Sequence, residues 1–281
     1  MKKLNIKKIS LLFFILIIIF IITISSYYLL RPQSIPVLAY HDIKPNNEIT
    51  KKEFKEANGA IISVEKFEKQ MKYIKEKGYQ TLSMDEFYCW MKKECQLPKK
   101  SVLITFDDGN KSIYEYVLPI LEKYNLKGTS FVITSRILPK ENVKDNYNFL
   151  TKEMIEEILT RYPNLELHSH THDMHKKINN IPIVKNLSKK ELNEDTMEVG
   201  KYLETEFIAY PFGSYTEDFI KTLKKNEYKM GFLYEQPFIR ATQKNNLYKI
   251  PRITIGRNLE DWRFKLILSL GFFTKKNIIP R

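Results

Sequence analysis

Short apolar runs, each closed by a polar or special residue and separated by amphipathic helical stretches, recur from residue 35 to residue 234. That alternation restricts the chain to an α/β fold with parallel strands. IPVLAYH (35–41) reads as a first strand ending in histidine. Ser63 is placed as an N-cap ahead of VEKFEKQMKYIKEKG, where Phe67, Met71 and Ile74 fall at helical spacing and Gly78 closes the helix. SVLITF (101–106), TSFVIT (129–134), LELHSH (165–170), FIAY (207–210) and GFLY (231–234) continue the series. The expected architecture is a barrel-like α/β domain of about seven parallel strands, and in such folds chemistry gathers at the C-terminal strand ends.

The N-terminus carries a separate signal. Residues 9–30 contain no charge and follow Lys2, Lys3, Lys7 and Lys8. About twenty apolar residues cross a hydrocarbon core of roughly 30 Å, and the basic flank predicts a cytoplasmic N-terminus. The run is longer than an ordinary signal-peptide core and no small-x-small cleavage pattern follows it, while Tyr27 and Tyr28 suit an interfacial belt. The expectation is a basic cytoplasmic tail (1–8), a single transmembrane signal anchor (9–30) and one extracytoplasmic domain (31–281). Secretion after signal cleavage is the competing reading.

Forty-six Lys and Arg against 33 Asp and Glu give a net charge of +13, which favours the cell membrane and anionic polymers as neighbours. Nucleic acid is not expected as a partner, because export removes the chain from it and no binding motif is present. Cys89 and Cys95 are compatible with a local disulfide in an exported chain, and equally with two free thiols on a short helix.

Two constellations carry chemistry. In Thr105-Phe106-Asp107-Asp108-Gly109 a pair of acids closes an apolar strand, so one can bind a metal while its neighbour stays free as a base. Gly109 permits the sharp turn beneath them. Four of the five histidines lie in Glu166-Leu167-His168-Ser169-His170-Thr171-His172-Asp173-Met174-His175. Imidazoles with a carboxylate suit zinc and its neighbours and leave coordination positions for water and substrate.

Together, TFDDG and the SHT…H run resemble the polysaccharide deacetylase family of carbohydrate esterases that share the NodB homology domain. The match is closest to the branch acting on poly-N-acetylglucosamine of biofilm matrices, and it extends from Ile35 to about Phe264. The resemblance implies a distorted (β/α) barrel and a divalent metal, zinc first, with cobalt, nickel or iron also accepted. It implies Asp107 as catalytic base, with Asp108, His170 and His175 as metal ligands. Most of the family spaces the two histidines by four, but that position is Met174; the biofilm branch spaces them by five, which lands on His175. His168 and His172 form a rival pair. No histidine follows His175, so the late Leu-x-His acid of many members is absent, and His41 in VLAYHDI stands where the biofilm branch has its acid. Tyr210, Pro211 and Phe212 resemble the groove segment that supplies an oxyanion N–H at Phe212. Ala209 replaces the family arginine there, leaving Arg252 in KIPRITI as a candidate to orient Asp107. Asp261-Trp262 resembles a loosely spaced family pair and reads as structural.

The implied activity is hydrolysis of N-acetyl groups from an N-acetylglucosamine surface polymer, probed against two alternatives: peptidoglycan or chitin-like chains, and a catalytically weak polysaccharide-binding relative.

Overall fold

The computed structural model describes residues 12–23, 33–50, 60–144, 147–234 and 239–269. They fall into two units divided between Gln33 and Ser34. In the first, residues 12–23 are helical. No helix among the described residues is long and apolar enough to cross a membrane, and the remainder of the expected 9–30 span lies outside those residues.

The second unit is built on strands β1 (Val37–Tyr40), β2 (Gln80–Thr81), β3 (Ser101–Phe106), β4 (Gly128–Val132), β5 (Leu165–Ser169), β6 (Phe207–Ala209), β7 (Met230–Phe232) and β8 (Ile253–Thr254). Seven of them run in one path, β7-β6-β5-β4-β3-β1-β8, and β2 pairs with the first residues of β3. Every pairing in this sheet is parallel. A parallel bridge from Phe232 to Ile250 joins the β7 edge to the segment leading into β8, which curls the sheet into the expected distorted barrel.

Helices α1 (Val64–Glu76), α3 (Leu118–Tyr124), α4 (Lys152–Arg161), α5 (Lys189–Val199) and α6 (Glu217–Lys225) cross between strands. Ser63 caps α1 by accepting the Lys66 N–H, as its position before the apolar-periodic run requires. Leu38, Tyr40, Ile104 and Phe106 face outward onto Phe67, Met71 and Ile74 of α1, and Ile208 and Tyr210 face Phe219 and Leu223 of α6. The alternate residues Val37, Leu103, Phe131, Phe207 and Phe232 fill the interior.

The remaining helices do different work. The floor of the interior is occupied by α2 (Met84–Met91), whose Phe87 and Trp90 join that inner cluster. Burying an aromatic of this size contributes about 1.5–3 kcal/mol. α2 stops at Met91 and Lys93 turns left-handed (φ +64°), so the chain doubles back and the Glu94 N–H donates to the Cys89 carbonyl. Cys89 and Cys95, 5.6 Å apart at Cα, form a disulfide. Asp261 opens α7 (Asp261–Ser269) and pairs with Lys69 of α1, while Trp262 is exposed.

Candidate metal centre and active site

The C-terminal ends of the strands gather the chemistry-bearing residues. β3 delivers Asp107 and Asp108, β5 delivers His170 and His175, β1 delivers His41, and Arg252 enters from just before β8. Three backbone turns there are left-handed without being glycine: Asp108 (φ +74°), Thr171 (φ +70°) and Phe212 (φ +57°). Each costs about 1–3 kcal/mol and persists only where neighbours dictate it. Gly109 (φ +70°) is required twice over, since a Cβ there would lie 2.7 Å from Val132 Cγ1.

Asp107 is buried and held by Arg252, which is itself fully buried. Arg252 Nη1 donates to Oδ1 at 2.6 Å and Nη2 to Oδ2 at 2.7 Å, a two-pronged clamp. Its other donors reach the Leu233 carbonyl (2.7 Å) and Thr105 Oγ1 (3.2 Å). Burial pushes the Asp107 carboxyl up, but the Arg252 guanidinium outweighs it and holds the group well below the usual carboxylate range. His41 Nε2 lies 3.9 Å from Asp107 Oδ2, and the His41 ring meets Tyr234 edge-on at 5.2 Å.

Beside this pair, donor atoms of Asp108, His170 and His175 lie within 4.8 Å of one another. Asp108 Oδ1 is 3.6 Å from His170 Nε2 and 3.4 Å from His175 Nε2. Two observations test whether the trio fits a divalent cation. Asp108 Oδ1 is buried with no hydrogen-bond partner, which is costly unless a cation satisfies it. The imidazoles do not serve as cationic partners either: burial pushes His170 down, and burial with the nearby His170 pushes His175 down to about 4. Neutral imidazoles around an orphaned carboxylate oxygen fit zinc-like donor chemistry, where ligands about 2.1 Å from an ion stand roughly 3.4 Å apart. His170 Nδ1 donates to the Ala209 carbonyl at 2.9 Å, which fixes the tautomer and leaves Nε2 facing the trio.

The five-residue histidine spacing has a packing cause. Met174 is buried in the apolar cluster of α5 and α6, so it anchors the loop outward and His175 swings back toward Asp108. Asp195 of α5 clamps the same loop, accepting the His172 and Asp173 N–H groups, each at 2.8 Å. Nothing in the sequence pattern singles out Asp195, since an acid on a helix usually faces solvent. Tyr234 was equally unmarked, being the last residue of an apolar run.

His168 and His172 do not form the rival pair. His172 Nδ1 is 3.0 Å from Thr134 Oγ1. His168 points into the barrel on the Phe131 and Phe207 rings, its Nδ1 3.1 Å from Thr205 Oγ1. β5 is thus polar inward at three levels, with Glu166 at the floor accepting from the α2 N-terminus, His168 above it and His170 at the mouth. The expected groove residues Tyr210 and Pro211 are corrected by the same alternation. Ala209 faces the interior, so Tyr210 faces outward; it is fully buried with its hydroxyl donating to the Tyr248 carbonyl, and Pro211 is buried too. Phe212 alone of that segment reaches the centre, its ring 4.3 Å from the His175 ring.

Burial pushes His168 down to about 3, against about 6.5 in an unfolded chain. The folded form therefore stays neutral, so its contribution is complete above pH 6.5 and falls as the pH drops from there toward 3. Between pH 7 and pH 5 the loss is about 2 kcal/mol. Urea unfolding at the two pH values is expected to show a fall smaller by that amount in His168→Gln; equal falls would refute it.

Fold and site together define a class: a parallel α/β barrel with an ionised carboxylate beside a donor cluster that could hold a divalent cation. Comparison with known proteins gives the narrower group. The polysaccharide deacetylase family model matches residues 95–231. A poly-beta-1,6-N-acetyl-D-glucosamine N-deacetylase of Staphylococcus aureus (strain MRSA252) is 33% identical over 238 residues, 80% of this chain and 80% of that relative. Among solved structures, the Streptococcus pyogenes deacetylase PplD in complex with acetate has a TM-score of 0.71 at 27% identity, covering 85% of this chain and all of that one. IcaB from Ammonifex degensii has a TM-score of 0.68 at 21% identity, covering 85% and 97%, a likeness that bears on the fold alone. The chain belongs to the polysaccharide deacetylase family, and it is a hydrolase.

Proposed function

We propose that this protein removes N-acetyl groups from poly-β-1,6-N-acetylglucosamine, releasing acetate and leaving free amines on the chain. The observation that carries the reading is the Asp108, His170 and His175 donor trio set beside an arginine-clamped Asp107. The name of the staphylococcal relative supports the polymer. The uncharged run 9–30 behind four lysines supports a signal anchor with the catalytic domain outside the cell.

Asp108, His170 and His175 are the residues that would hold zinc or a similar ion, which supplies Lewis acidity to a carbonyl and lowers the pKa of a water from about 15.7 to about 7. Asp107 accepts the proton of the attacking water. A carboxylate held ionised so firmly by Arg252 is a weak base, and it stays available as a proton acceptor. Arg252 fixes both oxygens of Asp107 so that no rotation is needed as the proton arrives. The Phe212 N–H donates to the developing oxyanion. His41, across Asp107, protonates the departing sugar nitrogen, and acetate leaves.

Acetate release by the full-length chain from β-1,6-linked N-acetylglucosamine oligomers tests this, with chitin oligomers and peptidoglycan alongside. Asp108→Asn and His170→Ala are expected to lose bound metal and at least about 100-fold in rate. Undiminished release in both variants would sink the proposed roles, and release only from peptidoglycan or chitin would sink the polymer.

A further inference from the structure

The proposed reaction turns a neutral acetamide into a basic amine that carries a positive charge when protonated, so the enzyme changes the charge of its own substrate as it works. What surrounds the mouth decides how the altered chain is received. Lys177 begins a short hairpin (Lys177–Ile178 with Ile181–Pro182) two residues after His175. It is exposed, and its Nζ lies 4.3 Å from the centroid of the Phe212 ring. That ring in turn lies 4.3 Å from the His175 ring, so an ammonium stands one aromatic ring away from the donor trio. Arg136 ends the single turn Thr134–Arg136 after β4, whose Ser135 N–H donates to the His172 carbonyl, and it stacks on Phe149 at 4.5 Å.

The carboxylates in this region are already committed. Asp107 is held by Arg252, Asp108 belongs to the donor trio, and Asp173 pairs with Lys176. Among the described residues no carboxylate pairs with Lys177 or Arg136. Among the described residues the lip therefore presents two positive charges with no carboxylate paired to either, on a chain whose overall balance is also positive.

We propose that Lys177 and Arg136 make the enzyme discriminate against polymer in which the sugar beside the reacting one already carries a free amine, so that deacetylation limits itself along the chain. The inference rests on the polysaccharide reading above. Like charges about 8 Å apart at an effective dielectric constant of about 40 give a preference of roughly fivefold for the acetylated neighbour.

The test uses the full-length, zinc-loaded chain and two β-1,6-linked pentamers, one fully acetylated and one with a single free amine beside the central sugar. kcat/KM is followed by acetate release, and the position of attack by mass spectrometry. The wild-type chain is expected to favour the fully acetylated pentamer about fivefold at low ionic strength, and less as added salt screens the lip. Lys177→Met, which keeps an unbranched stem over Phe212, shrinks the preference; Lys177→Glu removes or reverses it. Equal kcat/KM on both pentamers, or a preference that survives unchanged in both variants, overturns the inference. No acetate from either pentamer overturns the polysaccharide reading, and the inference with it.

Discussion

Arg252→Ala is expected to lower the unfolding free energy by about 3–5 kcal/mol and to abolish deacetylation, read by urea denaturation and by acetate release. The side chain has no exposed surface, and four hydrogen bonds radiate from it, two of them to Asp107. Deleting it leaves the Asp107 charge buried with no partner, which costs far more than the pair contributes while intact. Lysine is not an adequate replacement, because an ammonium cannot span both carboxylate oxygens as the planar fork does. The double variant Asp107→Leu, Arg252→Met separates the two effects. It removes both charges together, so most of the stability is expected to return while activity stays absent. A single Arg252→Ala variant as stable as the parent would show that the clamp is not the anchor described.

His41→Ala is expected to reduce kcat on N-acetylglucosamine oligomers by about 10²–10⁴, with a much smaller loss on an aryl acetate. The two substrates differ in what must leave. An amine departs only when protonated, whereas a phenolate leaves unaided. His41 sits 3.9 Å from Asp107 with its Nδ1 buried and without a partner. Equal losses on amide and ester would remove the acid role and leave His41 as a positioning residue.

Much of this was legible in the sequence because it depends on local rules. The strands at 101–106, 128–132 and 165–169 are six- and five-residue runs ended by polar or special residues, and Ser63 and Gly78 mark α1 by capping chemistry. What escaped depends on three-dimensional return. β2 and β8 are two residues each, too short to show a period. Helix α2 reads as an ordinary amphipathic segment, and nothing local says that its apolar face plugs a barrel. Tyr210 looks like a groove residue until strand alternation is counted from Ala209. The place of Arg252 in the interior follows only from the resemblance, since a buried arginine has no local signature.

The donors and their supports come from strand ends spread over residues 41 to 252, joined by parallel pairings that all require crossover connections. Such long-range closure is slow and late in folding. Asp107 gains its Arg252 partner only when β8, the last strand in sequence among the described residues, is in place beside β1. A chain clipped before residue 252 is expected to lack the clamp and to release no acetate. The ability to hydrolyse is in this sense a certificate that the strands at both ends of the sequence have met.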